Sequence, residues 1–322
     1  MIRPDTEAHF SDNLSWQIRG TDIFGNGKRC IHRPNMIPRE QFATTPVDYT
    51  SFDRDGSSKP SWKPTRPISV IQNPAPEWKY GEGANDNGES LAKSHVEIDP
   101  FEEGRPMSYN YSLLVSGIVP RPIGLVSTTS VSGDHNLAPF SYFQVVDHDP
   151  PVFVVGLSGR QGRPKDTLRN LETTKECCLN VVSEHMVEAV NASSVDAPHG
   201  TSEWDISGLH QMPCSTVKPP RVQESVFSIE GRLIDLVDYR TSRRPSGEHG
   251  KLAIIEATRF WAREDAIDSE GRNLKLDVLR PVGQLGGISY TRTSENFELA
   301  RKNWASALET DRERIPELTR SS

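Results

Sequence analysis

Two strand-like runs joined by a glycine-containing turn constrain the fold of this 322-residue chain more than any other feature. Residues 122–129 are mostly apolar and β-branched, and residues 136–146 follow with alternating aromatic side chains. Residues 131–135 supply Ser-Gly-Asp turn chemistry between them, so the pattern predicts a β-hairpin. Pro139 in the second run has no N–H to donate, which predicts that this strand lies at a sheet edge or contains a bulge.

Strand-like segments outnumber helical ones in the rest of the chain. Strands are predicted at 151–157, 176–182, 226–239 and 251–263, the last two paired antiparallel, and helices at 109–119, 167–175 and 184–195. Residues 197–220 show no hydrophobic periodicity and are predicted to form a long loop. At least six strands with few helices predict a mainly β fold with flanking helices, such as a closed or split β-barrel.

Proline usage divides the chain. Ten of its 24 prolines fall in the first hundred residues, which have few sustained apolar periods. We therefore expect an extended N-terminal arm at 1–100, a barrel domain at 101–295, and a C-terminal helix or tail at 296–322.

Charge and composition exclude several classes of function. A net charge of -7 and a pI near 5.8 argue against a nucleic-acid-binding protein. The chain contains no run of eighteen apolar residues, so no membrane span is predicted, and the first ten residues lack a signal-peptide core. The four cysteines show no metal-ligand spacing and are expected to be reduced thiols, so we expect a cytoplasmic protein without a bound metal.

The loop and helix start at 158–170 carry the groups of an anion site. Arg160 and Lys165 offer positive charge, and Thr167 offers a hydroxyl beside the amides of a helix N-terminus. Asp166 has a competing interpretation as the N-cap of that helix, and Lys165 as a solvated charge.

Five segments in order resemble the flavin reductase-like family, whose fold is the FMN-binding split β-barrel. They are PRPIGLVSTT, NLAPFSYF, DPPVFVVG and KDTLRN, followed by PVGQLGGISYTR at 281–292, and the resemblance covers roughly residues 101–292. The long arm is similar to that of an extended eukaryotic-type member. The resemblance implies FMN held non-covalently by these residues: Ser127, Thr128, Thr129, Asn136, Ala138, Pro139, Ser141, Ser158, Arg160, Lys165, Asp166, Thr167 and Gly286.

Four further residues are candidates for catalysis or substrate binding. Ser141 could tune hydride acceptance at flavin N5, although an ordinary polar strand position explains a lone serine as well. His148 lies between two carboxylates that would stabilise its protonated form as an acid, and a surface turn explains it equally. His199 and Trp204 could line a substrate pocket, with core or lid packing as the alternative.

The resemblance implies an oxidoreductase that transfers hydride through flavin N5. An NAD(P)H-dependent flavin reductase, with NADH or NADPH as co-substrate, is the first hypothesis. An FMN-dependent oxygenase or oxidase acting on a small organic substrate is the second, because the loop at 197–220 and the arm could cover the flavin. A non-catalytic flavin-binding protein is the third. We also expect a homodimer, because family members place FMN at a subunit interface.

Overall fold

The computed structural model describes residues 59–63, 67–159, 164–198, 201–239 and 250–311. The chain divides into two units after Asp48, and all described residues belong to the unit Tyr49–Ser322. Predictions for Arg160, for His199 and for most of the N-terminal arm therefore lie outside the described residues.

Strands are the main elements. They are β1 Ser69–Val70, β2 Arg121–Pro122, β3 Gly124–Thr129, β4 His135–Phe140, β5 Phe143–His148, β6 Pro151–Leu157, β7 Glu176–Val181, β8 Gln211–Met212, β9 Arg221–Val222, β10 Phe227–Asp238, β11 Lys251–Ala262, β12 Val282–Gln284, β13 Tyr290–Arg292 and β14 Glu295–Asn296. The α-helices are α1 Met107–Gly117, α2 Asp166–Thr174, α3 Val187–Ala192, α4 Glu203–Ser207, α5 Leu276–Leu279 and α6 Trp304–Asp311, with 3-10 turns at Glu89–Ala92 and Glu184–Met186.

Seven strands form one antiparallel sheet in the order β4-β3-β7-β10-β11-β6-β5. Its two end strands, β4 and β5, are consecutive in the chain and are separated only by Ser141 and Tyr142. The backbone N–H of Gly156 on β6 donates to the carbonyl of Tyr142 at 2.7 Å. This bond fixes the link between β4 and β5 to the β6 side of the sheet. A sheet whose ends are joined in this way must curl on itself, and the expected mainly β, split-barrel fold is confirmed.

The predicted hairpin is confirmed, with one correction. β3 and β4 pair antiparallel from Gly124 opposite Phe140 to Thr129 opposite His135, and β4 ends the sheet, as Pro139 requires. The second strand was expected to continue to residue 146. It stops at Phe140 instead, because the chain steps there to β5 at the opposite end of the sheet.

β3 is buried on both faces, and this divides the core in two. Val126 belongs to a cluster with Phe153, Leu179 and Ile255, whereas its neighbour Leu125 packs with a cluster on the other face. Successive side chains of a strand point to opposite faces, so β3 separates the barrel interior from the layer formed with α3 and α4. Residue 177 lies in the first cluster, where burial raises the pKa of the Cys177 thiol to about 12.

The region expected as a patternless loop at 197–220 contains short elements. α4 spans five residues and β8 two, which are too short to show a hydrophobic period. The predicted helix at 184–195 is likewise a 3-10 turn followed by α3. The described part of the C-terminal segment, predicted as a helix or tail, contains α6.

The described part of the arm contacts the C-terminal segment of the barrel domain. β1 pairs in parallel with β14, and the guanidinium of Arg292 lies 4.2 Å from the centre of the Trp62 ring. The domain boundaries themselves stay a prediction. Among the described helices, none has the length and apolar character that a membrane crossing requires.

Candidate functional site

A cavity of about 180 Å³ lies where β4, the start of α2 and the segment from α3 to α4 meet. Six residues predicted to bind a cofactor line it: Asn136, Ala138, Pro139, Lys165, Asp166 and Thr167. They come from two segments of the chain about thirty residues apart, so the fold brings the two motifs together.

Asn136 and Thr167 form a polar floor of this cavity, and buried side-chain hydrogen bonds hold them and their neighbours in place. The Asn136 amide donates from Nδ2 to Thr167 Oγ1 at 2.9 Å, and the Asn170 amide donates from Nδ2 to Thr128 Oγ1 at 3.0 Å. These bonds tie β3 and β4 to α2. The polar floor is therefore fixed in place without a ligand, as a binding site requires.

The N-cap of α2 is Lys165, with the extended backbone angles φ -60° and ψ 142°, and its side chain makes no capping hydrogen bond. Asp166 is the first helical residue rather than the N-cap, which corrects the capping interpretation, and it lies 3.9 Å from Arg169. A helix N-terminus beside a lysine favours an anion.

Glu203 is a cavity residue that the sequence reasoning missed. It is the first residue of α4, is 8% exposed, and its Oε2 accepts the N–H of Leu137 on β4 at 3.2 Å. Burial raises the pKa of the Glu203 carboxyl above its usual value, and the Asp166 carboxylate adds to the effect, although backbone hydrogen bonds oppose both. Its position beside Trp204, which the sequence did single out, was the available signal.

Three predicted residues use their hydroxyls within the protein. Ser127 Oγ donates to the carbonyl of Pro220 at 2.5 Å, and Thr129 Oγ1 lies 3.2 Å from His135 Nδ1. Thr128 accepts the Asn170 amide described above. Their side chains therefore stabilise the protein beside the site through internal hydrogen bonds. Ser158 is exposed at the end of the described segment, after β6.

Ser141 and Gly286 lie in a second cluster, around Arg121. The Nε of Arg121 donates to Ser141 Oγ at 3.3 Å, and its other nitrogens donate to the carbonyls of Val115, Ile118 and Leu285 at 2.5, 2.8 and 2.9 Å. A Cβ at Gly286 would lie 3.1 Å from the Cβ of Ser116, so glycine permits the close approach of this turn to α1. Arg121 also lines a groove of about 580 Å³.

His148 and Trp204 do not line the cavity at α2. The His148 side chain is 96% exposed at the end of β5, with Nδ1 3.5 Å from Asp147, as the surface-turn alternative predicts. Trp204 is 3% exposed and packs in the second core cluster, as the core alternative predicts. The structure gives no support to an acid role for His148 or a substrate role for Trp204.

Comparison with known proteins identifies relatives of the central part of the chain. A family model described as "Flavin reductase like domain" matches residues 116–275. An uncharacterized protein of Aquifex aeolicus is 36% identical over 183 residues, which are 56% of this chain and 89% of that protein. An uncharacterized protein of Halalkalibacterium halodurans is 35% identical over 195 residues, covering 60% of this chain and 90% of that protein.

Solved structures share the fold. Nitrilotriacetate monooxygenase component B from Bacillus cereus superimposes with a TM-score of 0.60 at 28% identity, over 65% of this chain and all of that one. The 2-nitrobenzoate 2-nitroreductase of Pseudomonas fluorescens superimposes with a TM-score of 0.57 at 27% identity, over 66% of this chain and 98% of that one. A split-barrel protein from Shewanella frigidimarina, 18% identical with a TM-score of 0.53, shares the fold.

Proposed function

The chain belongs to the flavin reductase-like family, and on that premise we propose that this flavin-associated oxidoreductase binds FMN in the cavity at α2 and reduces it with NADH or NADPH. One observation carries the proposal. The two motifs predicted to contact the cofactor converge on a single cavity, at the N-terminus of α2.

The residues of this cavity fit the polar half of FMN. Lys165 and the first turn of α2 would supply charge and amide donors for the phosphate, and the polar floor of Asn136 and Thr167 would hold the polyhydroxyl chain. A volume of about 180 Å³ is small for a whole ligand, since small-molecule pockets usually span roughly 300–1,000 Å³. We therefore place the phosphate and the ribityl chain in the cavity and the ring outside it.

Once bound, the flavin supplies hydride transfer, and the protein positions it. Ser141 remains our candidate for the group near the reacting edge of the ring. Because Arg121 Nε donates to Ser141 Oγ, the hydroxyl hydrogen of Ser141 is directed to another acceptor. In that arrangement the Ser141 hydroxyl is suited to donate to a flavin nitrogen or oxygen, and Arg121 acts as a positioning residue.

The likeness to the nitroreductase supports a second candidate, direct reduction of a small organic substrate by bound flavin. Flavin-dependent oxygenase or oxidase chemistry and simple flavin carriage are the remaining alternatives. Steady-state oxidation of NADH and of NADPH, with and without added FMN or FAD, separates them. Fast turnover that requires free flavin supports the reductase, whereas tightly held flavin without NAD(P)H oxidation contradicts it.

We expect Lys165→Met to weaken FMN binding by about 1.5–3 kcal/mol, or roughly ten- to 150-fold, because a charge-assisted bond to the phosphate is lost. Riboflavin has no phosphate, so its affinity should not change. Lys175→Met, at the exposed C-terminal end of the same helix, is the matched control. Titration by fluorescence quenching measures the FMN and riboflavin affinities of all three proteins, and equal losses for FMN and riboflavin in Lys165→Met would reject the phosphate role.

We propose a homodimer, on the evidence of α1. Five apolar side chains on α1 and at the residue after it are 47–63% exposed: Tyr109, Tyr111, Leu113, Leu114 and Ile118. Such a patch is typical of an interface. Light scattering at micromolar concentration should give the mass of two chains, and Leu113→Glu with Leu114→Glu should give one. A flavin-loaded monomer of the unmodified protein would contradict the proposal.

A further inference from the structure

The cavity at α2 carries more negative than positive charge for a site that is to hold a phosphate. Among the described residues that line it, Lys165 is the cation, whereas Asp166, Asp196 and Glu203 are acids. Asp166 lies 3.9 Å from Arg169, and Asp196 is exposed at the rim. Glu203 is the acid that is more than nine-tenths buried.

The two carboxyl oxygens of Glu203 differ in their surroundings. Oε2 accepts the N–H of Leu137, whereas Oε1 has no hydrogen-bond partner among the described residues and belongs to a side chain that lines the cavity. A protonated Oε1 would be a hydrogen-bond donor facing a bound ligand. An ionised Glu203 would instead place a second negative charge beside the phosphate.

Burial and the neighbouring carboxylate of Asp166 favour the neutral form of Glu203, whereas the positive charge of Lys165 favours the ionised form. Lys165 and Asp166, at the start of α2, and Asp196, in the segment after α3, line the same cavity as Glu203. Asp134 and His135, at the start of β4, line the adjoining cavity, which shares Asp166 with this one. Burial raises the pKa of Glu203, with a further contribution from Asp166, and a bound phosphate would raise that pKa more.

We propose that Glu203 binds the phosphate end of FMN as a neutral carboxylic acid, through a hydrogen bond from Oε1, so that flavin binding takes up one proton at this residue. This inference rests on the proposed function, because it places FMN in the cavity at α2. It makes Glu203 a ligand-binding residue that favours phosphorylated flavin at low pH.

The test compares the wild type with Glu203→Gln, which can still accept the Leu137 N–H but cannot ionise. At about pH 8 the variant should bind FMN at least about tenfold more tightly than the wild type, because like charges in one cavity repel. At about pH 5.5 the two affinities should converge. The second ionisation of the FMN phosphate, at about pH 6, affects both proteins alike. Riboflavin and the surface variant Glu188→Gln on α3 are the controls, and neither should show the difference.

Calorimetry in two buffers of different ionisation enthalpy counts the protons directly. At about pH 7 the wild type should take up more protons per FMN than Glu203→Gln, with a difference approaching one. Equal proton uptake, or equal pH dependence of FMN affinity in the two proteins, would overturn the role of Glu203 while leaving the flavin site intact. Failure of the wild type to bind FMN at any pH would overturn the proposed function and this inference with it.

Discussion

Arg121→Met is expected to lower the free energy of unfolding by about 3–5 kcal/mol, because unsatisfied buried polar groups are costly. The Arg121 side chain is 6% exposed and donates to three backbone carbonyls. Two of them belong to α1 and to the residue that follows it, where the helix dipole also favours a cation. Methionine fills a similar volume but leaves all three carbonyls without this donor.

Denaturant unfolding of the full chain, followed by fluorescence, measures the loss. Arg259→Met removes an exposed arginine from β11 and should change the stability by no more than about 0.5 kcal/mol. A loss at Arg121 as small as that of the control would show that water replaces the guanidinium at these carbonyls.

Glu230→Gln is expected to lower the free energy of unfolding by about 3 kcal/mol or more, the range for disrupting a buried charged network. Glu230 on β10 is fully buried. Its carboxylate accepts the backbone N–H groups of Ser215 and Thr216 at 2.7 and 2.6 Å, the Thr216 hydroxyl at 2.5 Å and the Trp261 Nε1 at 2.6 Å. Glutamine keeps one acceptor oxygen and turns an NH₂ group toward donors.

The cost of Glu230→Gln should depend on pH. Burial opposes ionisation of Glu230, but the hydrogen bonds from Ser215, Thr216 and Trp261 outweigh it and hold the pKa below the ordinary 4.5. A folded-state pKa below the unfolded value stabilises the protein above the unfolded pKa, and this contribution is lost as the pH falls through the folded pKa.

The stability difference between wild type and Glu230→Gln should therefore be constant near neutral pH and shrink below about pH 4. Glu256→Gln, at an exposed position of β11, is the matched control and should show little difference at any pH. A difference that stays constant down to about pH 2 would mean that the charge of Glu230 contributes nothing.

Local chemistry made much of the fold predictable. The turn at 131–135 and the alternation in 226–239 and 251–263 predicted pairs that the structure contains. The break after Phe140 was not predictable, because nothing local marks it. It arises from closure of the sheet, which sends consecutive strands to opposite ends.

The site was predictable where its residues belong to recognisable sequence motifs. Asn136 and Thr167 were singled out separately, and the structure joins their side chains by a hydrogen bond. The bond from Ser127 to Pro220 spans 93 residues, and no local sequence pattern in either segment indicates it. Glu203 was missed for a related reason, since its cavity position depends on how α4 docks on β4.

The outer side of β4 has a consequence for how chains associate. Along that side, Leu137 gives its N–H to Glu203, His135 offers its carbonyl to the Ser202 hydroxyl at 3.1 Å, and Pro139 has no N–H to give. An added strand from another chain needs a row of unused backbone donors and acceptors, and on this side that row is interrupted. We therefore expect β4 to resist strand addition and aggregation through an intermolecular β-sheet, so that copies meet through side-chain surfaces such as α1.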